Sequence, residues 1–131
     1  MEITFDGGKV ITAHLNGHVL KTDQPVNAGG ENSAPTPFEL FLASIGTCAG
    51  IYVKFFCDQR NISTENMKII QTATYNKQTG LPENITLDIQ LPADFPEKYK
   101  AAVINAADLC KVKMTIANPP VFNVTTSINQ I

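Results

Sequence analysis

The stretch TPFELFLASIGTCAG, residues 36–50, marks the start of a long apolar helix. Thr36 can cap that helix, Pro37 suits its first position, and Glu39 stands where a capping box places its acidic residue. Apolar residues then continue to about Arg60, which predicts a helix of about 24 residues and about 36 Å. Such a helix needs more apolar cover than one small sheet supplies.

Three short strands are predicted before this helix. Asn16-Gly17 is a strong signal for a two-residue hairpin turn between two of them. Such a turn pairs Leu15 with His18, which places His18 on the apolar face of the hairpin and His14 on the other face. The predicted strands cover residues 3–5, 10–15 and 18–22, and a loop of small and polar residues follows over residues 23–34.

The second half of the chain alternates strand and helix patterns. Apolar residues at every second position from 85 to 91 predict a strand with one buried face. Further strands are predicted over residues 67–76 and 122–129, with helices over residues 94–110 and 111–117. The order of three strands, a long helix, two strands, one or two helices and a final strand indicates an α+β fold.

Length, charge and composition limit the possible classes of protein. The 131 residues fit a single domain, residues 1–131, and the net charge of −2 leaves no basic stripe for nucleic acid. The apolar run of residues 40–53 is shorter than the roughly 20 residues of a bilayer span, which favours a core helix and no membrane partner. Three cysteines without a CxxC pair or a signal peptide favour a reducing, cytoplasmic location.

The apolar helix carries one cysteine at its middle. By helical spacing, Cys48 shares a face with apolar residues, so its thiol is expected in apolar surroundings, either as a small buried hydrophobe or as a reactive group. Cys110 lies where one predicted helix ends and could reach the thiol of another element. Cys57 is interpreted as structural. The residues that share the face of Cys48 are Phe41, Ile45, Ile51, Tyr52 and Phe55.

Two motifs resemble the osmotically induced protein C and organic hydroperoxide resistance (OsmC/Ohr) family. The first combines PFELFLA, residues 37–43, with GTCAG, residues 46–50. The second, weaker motif is CKV, residues 110–112, with Thr115. The predicted order of strands and helices matches that family along essentially the whole chain.

The resemblance implies a thiol peroxidase that reduces organic hydroperoxides in defence against oxidative stress. By position, Cys48 would be the peroxidatic cysteine and Cys110 the resolving one, with an external dithiol as reductant and with no bound cofactor or metal. The resemblance also implies intertwined homodimers with active sites between subunits. Small residues at Ala43, Gly46 and Gly50 agree with that, since they would let another helix approach closely.

The chain departs from the family pattern where the peroxidases hold an arginine over the thiolate. Phe38 stands in place of the glutamate that follows the helix-opening proline, and the first hairpin has no arginine. Glu39 and His18 are the candidates to act on the thiolate or line its pocket, together with Phe38. Glu39 could instead be only the capping residue, and His18 only a packed core residue. Lys111 replaces the usual proline of the second motif.

These observations support three hypotheses. The first is a cytoplasmic, homodimeric, cysteine-based reductase of organic hydroperoxides. The second is an OsmC-like binding protein for a small acyl or thiol ligand, with little or no peroxidase turnover. The third is a dimer whose cysteines are structural. A zinc site is disfavoured, because His14 and His18 point to opposite faces of the hairpin.

Overall fold

The computed structural model describes residues 1–130, so Ile131 of the predicted domain lies outside the described residues. The fold is α+β, as predicted, and the chain divides into two compact units, residues 1–47 and the residues from Cys48 onward. The strands are β1 (Glu2–Phe5), β2 (Ile11–Leu15), β3 (His18–Thr22), β4 (Lys68–Tyr75) and β5 (Pro82–Gln90). The helices are α1 (Pro37–Asp58), α2 (Lys100–Asp108) and α3 (Lys111–Ala117).

The first unit holds an antiparallel sheet in the order β1-β2-β3. Leu15 pairs with His18, so the predicted register of the hairpin is confirmed. Asn16 and Gly17 have φ angles of 50° and 81°. Positive φ at both central residues is the requirement of the type I′ turn, which explains why Asn-Gly stands there.

One face of this sheet is apolar and poorly covered. Ile3, Ala13 and Leu20 are cross-strand neighbours on that face. Ile3 is 50% exposed and Phe5, near one end of the same face, is 85% exposed. On the opposite face, Thr12 is buried. The more apolar face of this sheet is therefore partly exposed, since Ile3, Phe5 and Leu20 are open to solvent while Ala13 is half-buried.

The loop after β3 is organised around one carboxylate. Asp23 is 1% exposed and accepts four hydrogen bonds from the loop that follows it. The donors are the backbone amides of Gln24, Glu31 and Ser33, at 2.7, 3.3 and 3.0 Å, and the Ser33 hydroxyl at 2.6 Å. The bonds from Ser33 above all hold the pKa of Asp23 well below its usual range.

One further hydrogen bond and one steric restriction hold this loop in place. The backbone amide of Asp23 donates to the carbonyl of Pro35 at 3.2 Å, which ties the end of β3 to the residues just before α1. A Cβ on Gly30 would overlap the carbonyl oxygen of Gln24 and lie 2.8 Å from Oδ1 of Asp23. Glycine is therefore required at position 30 for steric reasons, and the loop is closed over the carboxylate.

α1 begins with the predicted capping box. The amide of Glu39 donates to Oγ1 of Thr36 at 3.1 Å, and the amide of Thr36 donates to Oε1 of Glu39 at 3.2 Å. The buried stripe of the helix repeats at intervals of three and four residues and consists of Ile45, Ala49, Val53, Phe56 and Cys57. The remaining circumference is half-buried or exposed, so only one side of α1 is buried.

By length and composition alone, α1 could cross a membrane. The helix extends beyond the apolar run of residues 40–53 at both ends, so the length argument made from the sequence does not hold. A core helix meets the same criteria, and from Ala49 to Cys57 the buried stripe packs in the core of the second unit. The structure buries 28% of the apolar window of α1, so that packing covers only part of the helix.

The core of the second unit lies between α1, the strands β4 and β5, and α2. Its buried members are Ala49, Val53, Phe56, Cys57, Phe95, Val103 and Ala107. The antiparallel pair β4-β5 packs against them through the alternating residues Ile69, Leu87 and Ile89, as the period of two predicted. A Cβ on Gly50 would meet Cδ1 of Ile69 at 3.9 Å. Gly50 therefore lies beside a side chain of β4.

The second helical region starts later than predicted. Pro96 precedes a single 3-10 turn, Glu97–Tyr99, and α2 begins only at Lys100. A 3-10 helix and an α-helix begin at the same capping and proline signals. The sequence therefore predicts where the first helical turn starts, but not the residue at which the 3-10 turn changes to an α-helix. Val103 and Ala107 are buried and form the inner face of α2.

The final strand predicted over residues 122–129 is not formed in the structure. Within residues 1–130, nothing after α3 is paired in a sheet. Phe122, Val124 and Ile128 are 82%, 96% and 89% exposed. A segment with an alternating pattern forms a strand only when it can pair with the free edge of another strand. Its own residues do not show whether such an edge is available.

The Asp23 loop gives a testable pH dependence. The folded-state pKa of Asp23 is lowered, so its stabilising effect is fully present above the unfolded-state pKa of about 3.9 and is lost as pH falls below it. We expect Asp23→Asn to lower the free energy of unfolding at pH 7, and the difference from the parent to shrink as pH falls from about 5 to about 2. Urea unfolding at one fixed protein concentration measures both effects.

Asp94→Asn is the matched control, because Asp94 is exposed. The same substitution there should change the free energy of unfolding by less than about 0.5 kcal/mol at any of these pH values. An equal loss in the two variants would show that the carboxylate of Asp23 does not hold the loop.

Candidate functional site

Cys48 lies on the flank of α1, between its buried and exposed sides. Its side chain is half-buried, whereas the nearby Ala49 is fully buried. One turn further along, Tyr52 is half-buried and its ring meets Phe55 edge to face at 6.2 Å. The thiol is therefore partly open to solvent, one turn of α1 away from Tyr52.

Cys110 occupies the junction between α2 and α3 and is fully buried. It is the N-cap of α3, with extended backbone angles (φ −68°, ψ 144°), and its Sγ accepts the backbone amide of Lys113 at 3.4 Å. Sulfur replaces the oxygen that Ser, Thr, Asp or Asn normally supplies at this position. Cys110 thus combines a thiol with a local structural role.

Cys57 is the third thiol and belongs to the core, as interpreted from the sequence. It is fully buried among Phe56, Val103 and other core residues. Burial raises the pKa of the Cys57 thiol, and the Asp58 carboxylate raises it further. A thiolate at this position is disfavoured, so Cys57 is suited to packing and not to reaction. All three cysteines are free.

The side chain of the single arginine of the chain stacks on aromatic rings. The Arg60 guanidinium lies 3.7 Å from the ring centre of Phe56 and 5.4 Å from that of Tyr99. It also donates to the backbone carbonyl of Phe56 at 3.0 Å. Arg60 therefore fastens the end of α1 to the 3-10 turn before α2.

The lysines nearest Cys110 in sequence differ in exposure. Lys111 is exposed, whereas the Lys113 side chain is 25% exposed and its ammonium lies 3.2 Å from the carboxylate of Asp108. The backbone amide of Lys113 donates to Sγ of Cys110.

The other candidate residues lie in the first unit. Glu39 is the capping-box partner of Thr36, so that interpretation is confirmed. Phe38 is 43% exposed and stacks on Phe41 with ring centres 5.6 Å apart. His18 is exposed on the hairpin, so its interpretation as a packed core residue is wrong.

Two features were missed from the sequence. The capping of α3 by Cys110 has a weak signal, because cysteine is not among the residues that usually cap helices. The Asp23 loop has a clearer sequence signal, since the side chain of an aspartate before a loop with Gly29-Gly30 can accept hydrogen bonds from nearby backbone amides. Within residues 1–130, no three or more His, Cys, Asp or Glu side chains converge in a way that could hold a metal ion.

The family model described as OsmC-like protein matches residues 30–125. This match spans most of the chain and includes both Cys48 and Cys110. The chain therefore belongs to the OsmC-like family, and the resemblance noted in its two motifs is confirmed.

Solved structures agree on the fold. A Psychrobacter arcticus protein described as an osmotic stress induced and detoxification response protein superposes with a TM-score of 0.74 at 19% identity, over 87% of this chain and 85% of that one. A hypothetical protein from Aquifex aeolicus gives 0.64 at 17% identity, over 90% and 86%. A Vibrio cholerae protein described as an organic hydroperoxide resistance protein gives 0.53 at 19% identity, over 89% and 82%.

No curated protein shows significant similarity to this chain. At these identities the solved structures define the fold, and the chemistry has to be argued from the residues of this chain.

The burial of the three thiols predicts their order of reaction. N-ethylmaleimide should modify Cys48 first in the native protein, and Cys57 more slowly by at least about tenfold, because Cys57 is buried and the pKa of its thiol is raised. Mass spectrometry of peptides taken at successive times measures each site. Cys48→Ser should remove the fast phase, and urea should make the remaining thiols react. Equal rates of labelling of Cys48 and Cys57 in the native protein would contradict the expected difference in reactivity.

Proposed function

We propose that this protein is a cysteine-based reductase of organic hydroperoxides, with Cys48 as the peroxidatic residue. One observation carries the proposal: Cys48 is half-buried on an apolar flank of α1, whereas Cys57 and Cys110 are fully buried. A reagent from solution therefore has a route to Cys48 that the other two thiols lack. Membership of the OsmC-like family supports the same choice.

In the first step, the Cys48 thiolate attacks the outer oxygen of the hydroperoxide. A sulfur–oxygen bond forms, the O–O bond breaks, and the inner oxygen leaves as an alkoxide that takes up a proton to become the alcohol. The sulfur is oxidised by two electrons to a sulfenic acid, and the peroxide is reduced by two. The thiolate is the nucleophile in such a reaction, and the developing alkoxide needs a proton or a positive charge nearby.

In the second step, the Cys110 thiol attacks the sulfur of the Cys48 sulfenic acid. A disulfide forms and the hydroxyl group leaves as water. An external dithiol then reduces the disulfide by thiol–disulfide exchange, so the cycle uses no bound cofactor or metal. Cys110 lies in the same unit as Cys48, and its burial protects it from direct oxidation by solvent species.

The proposed activity is weak compared with that of a site that contains an arginine over the thiolate. Arg60 is stacked on Phe56 and Tyr99. Without an arginine, activation of the thiol and stabilisation of the alkoxide need another cation or hydrogen-bond donor. The loss of one preorganised donor commonly lowers a rate by a factor on the order of 10² to 10³.

The flank of α1 favours a bulky organic peroxide over hydrogen peroxide. Phe41, Ile51 and Phe55 are each more than 40% exposed on the helix that carries Cys48. Apolar surface that is removed from water on binding contributes roughly 25 cal/mol per Å², a gain that hydrogen peroxide cannot provide.

Peroxide oxidation tests this proposal directly. We expect cumene hydroperoxide to oxidise the reduced protein faster than hydrogen peroxide does, by about tenfold or more, with the loss of two thiols per chain. Stopped-flow measurements give the rates, and peptide mass spectrometry should find a linkage between Cys48 and Cys110 that a dithiol reverses.

Cys48→Ser should abolish the fast reaction, and Cys57→Ser is the control that should retain it. Rapid thiol loss in the Cys48→Ser variant would remove Cys48 from this role. A parent protein that reacts no faster than free cysteine would overturn the peroxidase proposal.

We also propose that the functional form is a homodimer. The protomer leaves three apolar surfaces open: one face of the first sheet with Phe5, the outer side of α1 with Phe55, and the C-terminal segment with Val124. Monomeric proteins rarely expose contiguous apolar patches of more than a few hundred Å². A second copy of the chain offers matching surfaces, including sheet edges on which the C-terminal segment could form the strand that its sequence predicts.

The C-terminal segment provides a matched pair of variants. In an extended strand, neighbouring side chains point to opposite faces, so Val124→Asp and Thr125→Asp place the same charge on different sides. We expect the parent to sediment as a dimer at micromolar concentration, and Val124→Asp to raise the dissociation constant at least about tenfold more than Thr125→Asp does. A folded parent monomer at that concentration would overturn the dimer.

A binding function is the second candidate. The Vibrio cholerae neighbour is described with captopril bound in one of its active sites, so a protein of this fold can hold a small molecule there. If peroxide does not react with Cys48, the same apolar flank would bind a small acyl or thiol ligand with little turnover. Isothermal titration with such ligands would then separate the two functions. For either function we propose a reducing, cytoplasmic location without nucleic acid or membrane partners.

A further inference from the structure

The N-terminus of α3 depends on a sulfur atom. α3 has only seven residues, and its N-cap Cys110 is the side chain that accepts the amide of Lys113. Isolated helices shorter than about 12 to 15 residues are marginal in water, so a short helix relies on its caps and on packing. None of the residues of α3 itself is fully buried.

The other end of α3 is capped separately. The side-chain amide of Asn118 donates to the carbonyl of Met114 at 3.1 Å. Pro119 and Pro120 then end the helix. At the N-terminal end, the sulfur cap is joined by the ion pair between Lys113 and Asp108, which is mostly exposed on the aspartate side and contributes little. The bond to Sγ of Cys110 is therefore the interaction at this end that a change in oxidation state would affect.

We propose that α3 is a redox-sensitive element, in which formation of the disulfide between Cys48 and Cys110 removes the N-cap. This inference rests on the proposed function. The organic hydroperoxide accepts two electrons and becomes an alcohol, the two thiols lose two electrons and become a disulfide, and the second oxygen leaves as water. Reduction by an external dithiol restores the Cys110 thiol and with it the cap.

The geometry explains why the two bonds compete. In a disulfide, Sγ of Cys110 must lie about 2.05 Å from the sulfur of Cys48, with a dihedral angle near 90°. The position of that sulfur is then set by α1 and not by the amide of Lys113. The hydrogen bond, 3.4 Å long in the reduced protein, is lost once Sγ is drawn away from the amide of Lys113.

The loss of the cap would affect the chain that follows α3. α3 lies directly between Cys110 and the exposed segment of residues 118–130. A frayed first turn leaves about one turn of α3 between Cys110 and that segment, because Lys113 belongs to the first turn of a two-turn helix.

Amide hydrogen exchange in the full-length protein tests this inference. We expect the Lys113 amide to exchange about fivefold faster in the hydroperoxide-oxidised protein than in the reduced one, the factor that corresponds to a cap worth about 1 kcal/mol. The dithiol should reverse the change. Two-dimensional NMR of ¹⁵N-labelled protein follows Lys113, and the amides of β4 and β5 report any global change in stability.

Substitutions at Cys110 separate capping from oxidation. Cys110→Ser supplies a hydroxyl cap and cannot form the disulfide, so its Lys113 amide should stay protected with or without hydroperoxide. Cys110→Ala has no cap, so that amide should exchange rapidly in both states. In Cys48→Ser, hydroperoxide should leave the exchange of the Lys113 amide unchanged.

The outcomes distinguish this inference from the function on which it rests. If the disulfide forms and the Lys113 amide keeps its protection, the redox-sensitive element is overturned and the peroxidase stands. If no disulfide forms on treatment with hydroperoxide, the redox-sensitive element is overturned, and the rate at which Cys48 is oxidised alone decides the peroxidase. Equal protection of Lys113 in Cys110→Ser and Cys110→Ala would show that residue 110 does not cap α3 and would also overturn the inference.

Discussion

The need to cover a long apolar helix governs the rest of this structure. α1 buries one stripe, and from Ala49 to Cys57 that stripe packs in the core of the second unit. Phe41, Ile51 and Phe55 remain substantially exposed on the same helix. The hydrophobic effect thus provides both the core that fixes α1 and the apolar flank beside Cys48. The same surplus of apolar surface is the basis of the proposed homodimer.

The parts of the fold that could be predicted are those encoded by neighbouring residues. The capping box of Thr36 and Glu39, the Asn16-Gly17 turn and the alternation in β5 each depend on contacts that the local sequence specifies. The strand predicted after Pro120 failed because strand pairing depends on a distant edge. The start of α2 was misplaced because the signal at Pro96 serves a 3-10 turn as well as an α-helix.

For the candidate site, as for the fold, the sequence predicted only some of the features that the structure shows. The sequence identified Cys48 and Cys110 as candidates, and interpreted Cys57 as structural, from helical spacing and the family motifs. It could not show that Cys110 caps α3 or that Arg60 stacks on Phe56, because both contacts depend on how the chain folds back. The catalytic roles and the dimer remain proposals that the thiol and sedimentation experiments address.

The Asp23 loop has a consequence for how this chain can vary. Surface loops usually accept insertions and substitutions more readily than the elements they connect. Here one carboxylate is bonded to amides from both ends of the loop, and the position of Gly30 has no room for a methyl group. A library of random insertions should therefore recover few folded variants in residues 24–35.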